Sequence, residues 1–116
     1  MDSQPTSPRV LAGFVHIDEA TVEDARQAIT RQSGVAVELL EVARLPQWDA
    51  HRTLYRGLDS RSQEFDVLVK VDGDMIVQDS LLFAAVARMF RELPEVDQIG
   101  ISVTDWFSGG PITGIS

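Results

Sequence analysis

Two carboxylates, Asp72 and Asp74, flank Gly73 directly after the apolar run Val67-Leu68-Val69-Lys70-Val71, and the triplet Met75-Ile76-Val77 follows. Hard carboxylate oxygens suit Mg²⁺ or Mn²⁺. Gly73 allows a tight turn or a close backbone approach to a ligand. A short, continuously hydrophobic segment reads as a strand buried on both faces, the kind that runs through parallel α/β sheets. Such sheets bind ligands beyond the carboxyl ends of their strands. Asp72-Gly73-Asp74 therefore stands where chemistry is expected. The competing reading is a solvated strand end, since Asp and Gly are ordinary turn formers.

The elements that must position this tripeptide follow from periodicity. Arg9 to Ile17 reads as a first strand and Asp18-Glu19-Ala20 as a loop. Thr21 is a good N-cap with Asp24 three residues on, ahead of Val22, Ala25 and Ile29 at helical spacing. Gly34 fits a helix C-cap. Val35 to Val42 reads as a second strand. Asp49 can cap a helix running to about Arg61, with Ala50, Leu54 and Leu58 on one face. The acidic tripeptide then ends the central strand. Ser80 to Leu93 is the clearest helix, with an apolar stripe of Leu81, Leu82, Ala85, Val86, Met89, Phe90 and Leu93, and Pro94 stops it. Gln98 to Val103 reads as another buried strand, and Ile112 to Ser116 as the start of a further one. The order β-α-β-α-β-α-β predicts an α/β fold, a three-layer α/β/α sandwich with a mostly parallel sheet.

Composition narrows the function. A chain of 116 residues with 44% hydrophobic content predicts one domain. Residues 1–8 are polar, lack a signal-peptide pattern and are expected to be a disordered lead-in to a domain over 9–116. No apolar run approaches the ~20 residues of a membrane span. The absence of cysteine excludes disulfides and thiolate metal sites and is compatible with a cytoplasmic location. Eighteen acidic residues against ten basic ones give a net charge of −8, and Lys70 is the single lysine. Nucleic-acid binding relies on clustered Lys and Arg and is not expected. An anionic small ligand would need a cation to offset the local carboxylates, and a divalent metal supplies one.

The segment FDVLVKVDGDMIV, followed by a helix, a strand and the stretch Thr104-Asp105-Trp106-Phe107, resembles the nucleotide-sugar-binding part of GT-A glycosyltransferases, family 2-like, over about residues 9–116. In that family an Asp-x-Asp motif ends a strand and binds the divalent cation, the ribose and the diphosphate of a sugar nucleotide. The resemblance implies Asp72 and Asp74 as holders of Mn²⁺ or Mg²⁺, with Asp72 nearer the ribose and Asp74 as metal ligand. It implies Asp72, Gly73, Asp18 and Arg52 as contacts of a UDP- or GDP-linked donor, with transfer of the glycosyl group to an acceptor. The loop around Asp18 would cradle the base, and the helix carrying His51, Arg52 and Arg56 would flank the base or diphosphate. Asp105 is the candidate catalytic carboxylate, on the sugar or acceptor side. Full enzymes of the class are longer, so the chain is expected to be a truncated or minimal version. A sheet edge left open would offer a route to a homodimer.

Each residue also has a plainer reading. Trp106 and Phe107 could fold into the core. His16 and His51 read as satisfied structural residues rather than as ligands or bases. Trp48 is expected in the core or at a hinge. Arg52 and Arg56, one turn apart, read first as a solvated face and second as a diphosphate clamp. Three further classes stay open. A response-regulator receiver accounts for Asp18-Glu19, Asp72 and Thr104 but lacks a late lysine. A phosphatase of the haloacid-dehalogenase type would carry its Asp-x-Asp on the first strand. A non-catalytic binding module would keep the fold without turnover.

Overall fold

The computed structural model describes residues 7–100 together with the backbone of 103–104 and 111–112. Three strands, β1 (Arg9–His16), β2 (Ala36–Ala43) and β3 (Val67–Asp72), form a parallel sheet in the order β2-β1-β3. Three helices, α1 (Val22–Thr30), α2 (Gln47–Arg61) and α3 (Leu82–Glu92), cover it. The α/β class is as the alternation of elements predicts.

β1 is the strand buried on both faces. Val10, Leu11, Ala12 and Phe14 are all fully buried. Its even-numbered residues meet α1 through Val22, Ala25 and Ile29, and α3 through Phe83, Val86 and Ala87. Leu11 meets α2 through Ala50, Leu54 and Leu58 on the other face. Helices thus lie on both sides of the sheet, and the chain reverses winding direction at β1.

β3 differs from its expected place. Among the described residues it is not central but an edge strand of this sheet. Its burial alternates: Val67 and Val71 are buried, whereas Leu68 is 39% exposed and Lys70 faces solvent. The cause is coverage. α2 packs over β1 and β2, leaving one face of β3 open among the described residues. The apolar run alone could not show which of its residues a helix would cover.

Other local expectations shift as well. α1 has no side-chain cap from Thr21 and ends at Arg31, with Gly34 (φ 79°) further along the loop. α2 begins behind Pro46, so Asp49 lies in its first turn rather than capping it. Trp48 is 82% exposed, not in the core. Two residues before Ala50, it points about 200° away from the buried Ala50-Leu54-Leu58 face. α3 buries Phe83 with Val86 and Ala87, while Leu81, Met89 and Leu93 stay exposed, so its inward face is rotated from the expected stripe. The N-terminus of α3 is capped from another element: Gln32 accepts from the Phe83 N–H at 2.9 Å and donates to the Asp79 carbonyl at 2.8 Å. Residues 98–100 form no strand. A short β4 (Val103–Thr104) pairs antiparallel with β5 (Pro111–Ile112), apart from the main sheet. Ile99 is half-buried and packs against the main core cluster, while Gln98 and Gly100 are exposed; residues 101–102 of the expected strand lie outside the described residues. Among the described residues no helix is long and apolar enough to cross a membrane.

Candidate functional site at the carboxyl end of the sheet

The order β2-β1-β3 puts the topological switch point between β1 and β3, where doubly wound folds bind ligands. The acidic turn lies there. Val15 is in register with Asp72. Beyond it the Gly73 N–H donates to the Val15 carbonyl at 2.8 Å, and the Met75 N–H closes the turn on the Asp72 carbonyl at 3.0 Å. From the β1–α1 loop, the Thr21 hydroxyl donates to the Gly73 carbonyl at 2.7 Å. Both polar groups of Gly73 are therefore held by the β1 side of the crevice.

Gly73 is buried, and a Cβ there would collide with that of His16 and lie 3.0 Å from Glu19 Oε1. The close approach that glycine permits is thus to the protein's own wall. Asp72 is half-buried, with Lys70 Nζ 3.1 Å from its Oδ1. Asp74 is exposed and has no ion-pair partner among the described residues. The two carboxylates of one motif thus differ: Lys70 engages Asp72, and no described residue pairs with Asp74.

A polar wall supports the crevice. His16 is buried at the end of β1, with Nε2 2.5 Å from Glu41 Oε2. The Asp18 N–H donates to its Nδ1 at 3.1 Å. A backbone N–H can only donate, so Nδ1 accepts and the ring proton sits on Nε2, facing Glu41. Arg26 also pairs with Glu41, at 2.7 Å, and with Glu23. The Arg26 guanidinium, helped by His16, holds the Glu41 carboxyl down at about 2, against the ordinary 4.5 and against partial burial. Asp18 (φ 61°) and Arg44 (φ 60°) are the two non-glycine residues with left-handed backbone among those described. They pair with each other at 2.5 Å, which raises the pKa of Arg44. The Arg44 N–H also donates to the His16 carbonyl at 3.0 Å. Such conformations persist only where the surroundings hold them in place.

The sequence-expected residues therefore divide. Asp18, Asp72, Gly73 and Asp74 share the carboxyl end of the sheet. Arg52 and Arg56 lie exposed on α2, with no hydrogen bond or ion pair to the acidic turn among the described residues. His51 bonds within its own helix, to the Gln47 carbonyl at 2.9 Å, and stacks on Tyr55. His16 is a satisfied structural residue, as expected. Asp105, Trp106 and Phe107 lie outside the described residues. Thr21, Glu41 and Arg26 were not singled out by spacing as part of the site. Their partners lie 52, 25 and 15 residues away, and only the strand register brings them together.

The chain matches no family model, no curated protein and no solved structure in comparisons with known proteins.

Among the described residues no group of three or more His, Cys, Asp or Glu side chains is arranged to hold a metal ion. The donor set at the turn is two carboxylates, one of them engaged by Lys70. Mg²⁺ and its analogues are commonly held by one or two carboxylates, with waters and substrate phosphates completing the shell. Two carboxylates alone would hold such an ion only with waters or phosphates completing its shell. Two open grooves of about 410 and 490 Å³ lie around Pro8, Asp66 and α3, at the amino end of the sheet and away from the acidic turn.

Proposed function

We propose that the chain is a GT-A-like domain that binds a nucleotide sugar through a divalent cation at Asp72-Gly73-Asp74. One observation carries the reading: an acidic turn at the carboxyl end of β3, at the switch point, with Asp74 exposed and without an ion-pair partner among the described residues while Lys70 engages Asp72. That asymmetry supports the division the resemblance implies, with Asp74 as metal ligand and Asp72 toward the ribose. A bound Mn²⁺ or Mg²⁺ would supply Lewis-acid stabilisation of a departing nucleoside diphosphate. The protein's own part is to present the two carboxylates from a turn fixed on both sides and to back them with the Asp18–Arg44 and His16–Glu41 pairs. A diphosphate beside these carboxylates is repelled unless a cation lies between them. Transfer to an acceptor, and the part of Asp105 in it, belong to the same proposal, as does a cytoplasmic location.

Isothermal titration calorimetry with UDP and GDP, with and without Mn²⁺, tests the reading on wild type and Asp74→Ala. Metal-dependent binding is expected to fall about thirtyfold or more in the variant, the loss of a charged ligand being worth about 2 kcal/mol or more. No binding under any condition would sink the nucleotide reading for this chain.

A receiver-like module is the second reading. The order β2-β1-β3 with Asp18-Glu19 at the end of β1 and Asp72 at the end of β3 favours it. The lysine such a switch needs on a later strand is absent, since Lys70 lies on β3 itself. Tight binding of beryllofluoride with Mg²⁺, in place of nucleotide, would select it.

A further inference from the structure

Thr21 stands at the N-cap of α1 yet caps nothing there: its backbone is helical (φ −86°, ψ −2°) and its side chain makes no bond to the helix. The hydroxyl instead crosses to the acidic turn and donates to the Gly73 carbonyl at 2.7 Å. An N-cap Thr that leaves its own helix uncapped forgoes the stabilising contact such residues usually make. Gly73 cannot be held there by a side chain of its own, because a Cβ would strike His16 and crowd Glu19. Glu19 is itself fixed, its Oε1 accepting from the Ile17 N–H at 2.7 Å. The Gly73 peptide thus has two anchors, the Val15 carbonyl on its N–H and the Thr21 hydroxyl on its C=O. The first is part of the strand ladder and any sequence would supply it. The second depends on one side chain.

We propose that Thr21 is a positioning residue for the acidic turn: by holding the Gly73 carbonyl, it fixes the peptide plane between Gly73 and Asp74 and so the direction in which Asp74 presents its carboxylate. The consequence for ligand binding rests on the nucleotide-sugar reading above; the lock itself does not. It makes the β1–α1 loop and the acidic turn one unit.

The test compares wild type, Thr21→Val and Thr21→Ser. Valine keeps the branched shape and removes the hydroxyl, while serine restores it. Amide hydrogen exchange by NMR reads the lock without any ligand. In Thr21→Val the Gly73 and Met75 amides are expected to exchange about fivefold faster, the effect of one lost neutral hydrogen bond. The β1 amides of Leu11 to Phe14 should change less than about twofold, and serine should bring the turn back. Titration with Mn²⁺ plus UDP, and Mn²⁺ plus GDP, reads the consequence: affinity is expected to fall about fivefold in the valine variant and to recover in the serine variant. Exchange that rises evenly across the protein, or not at all, would overturn the lock. Local opening with unchanged affinity would overturn the positioning role. If wild type binds neither nucleotide, the nucleotide reading falls, and the exchange result alone decides whether Thr21 locks the turn.

Discussion

The two ends of the parallel sheet are tied together in different ways. At the amino end the crossing bonds lean on the main chain: the Ala36 N–H donates to the Pro8 carbonyl and the Asp66 N–H to the Arg9 carbonyl, each at 2.8 Å. Side chains add to this, with Asp66 accepting the Arg9 N–H at 2.7 Å and the Arg9 and Arg61 guanidinium groups lying over Phe65. At the carboxyl end main-chain bonds also cross, from the Gly73 N–H to the Val15 carbonyl and from the Arg44 N–H to the His16 carbonyl, and three ties that depend on particular side chains are added to them: Thr21 on Gly73, His16 on Glu41, Asp18 on Arg44. Both left-handed non-glycine residues lie there. Main-chain ties survive most substitutions, whereas side-chain ties need given residues. The two left-handed residues gather at the end where α/β sheets bind ligands, while at the other end the buried Gln32 ties the start of α3 and charged Asp66 and Arg91 line the groove.

This contrast can be pressed from both sides. The largest effect on stability is expected from Gly73→Ala, whose Cβ has no room between His16 and Glu19. Overpacking of this kind costs about 1–3 kcal/mol, read from urea unfolding. Wild-type stability would mean that the crevice is looser than the contacts imply.

A smaller effect follows from the Glu41 carboxyl, which Arg26 and His16 hold at about 2 in the fold against an ordinary 4.5. A lowered carboxyl contributes stability that is present above the unfolded value and lost as pH falls through the folded one. Part of the protein's acid sensitivity between pH 4.5 and about 2 should therefore vanish in Glu41→Gln. At pH 7 that variant should lose about 1 kcal/mol, the upper range for a partly exposed ion pair. Thermal unfolding across that pH range checks both; identical pH profiles would remove Glu41 from the account.

The smallest effect belongs to the amino end. Asp66→Ala removes one exposed side-chain bond to the Arg9 N–H and should cost about 0.5–1 kcal/mol, with Mn²⁺-dependent nucleotide binding unchanged. A change in binding there would break the distinction between the two ends.

What sequence revealed, and what it hid, follows the same physical line. The alternation of strands and helices, and the inward face Ala50-Leu54-Leu58, depend on neighbours within a few turns and were legible. So was the likelihood that Asp72-Gly73-Asp74 would end a strand, because a hydrophobic run stopping in Asp-Gly-Asp is local information. The placing of β3 at the sheet edge was not, since apolar content does not say which strand a helix will cover. Trp48 looked by type like a core or hinge residue, and its 82% exposure follows from its angle to Ala50. Gly73 was legible as a residue that permits close approach, but not as one pressed against His16. The role of Thr21 was hidden behind a capping pattern that matches sequence preference and is not used.

β1, the strand covered on both faces, is also the first to be made. Arg9 must wait for Ala36, and Val10 for Val67, before either edge of β1 is paired. The second pairing closes a loop about twice as long as the first, an added entropic cost of roughly 0.6 kcal/mol. During synthesis the β1–β2 pair can therefore form before β3 has emerged, with an unpaired strand edge exposed to the surroundings. The acidic turn is assembled only when β3 docks, so that the proposed site is completed after the β1–β2 pair is in place.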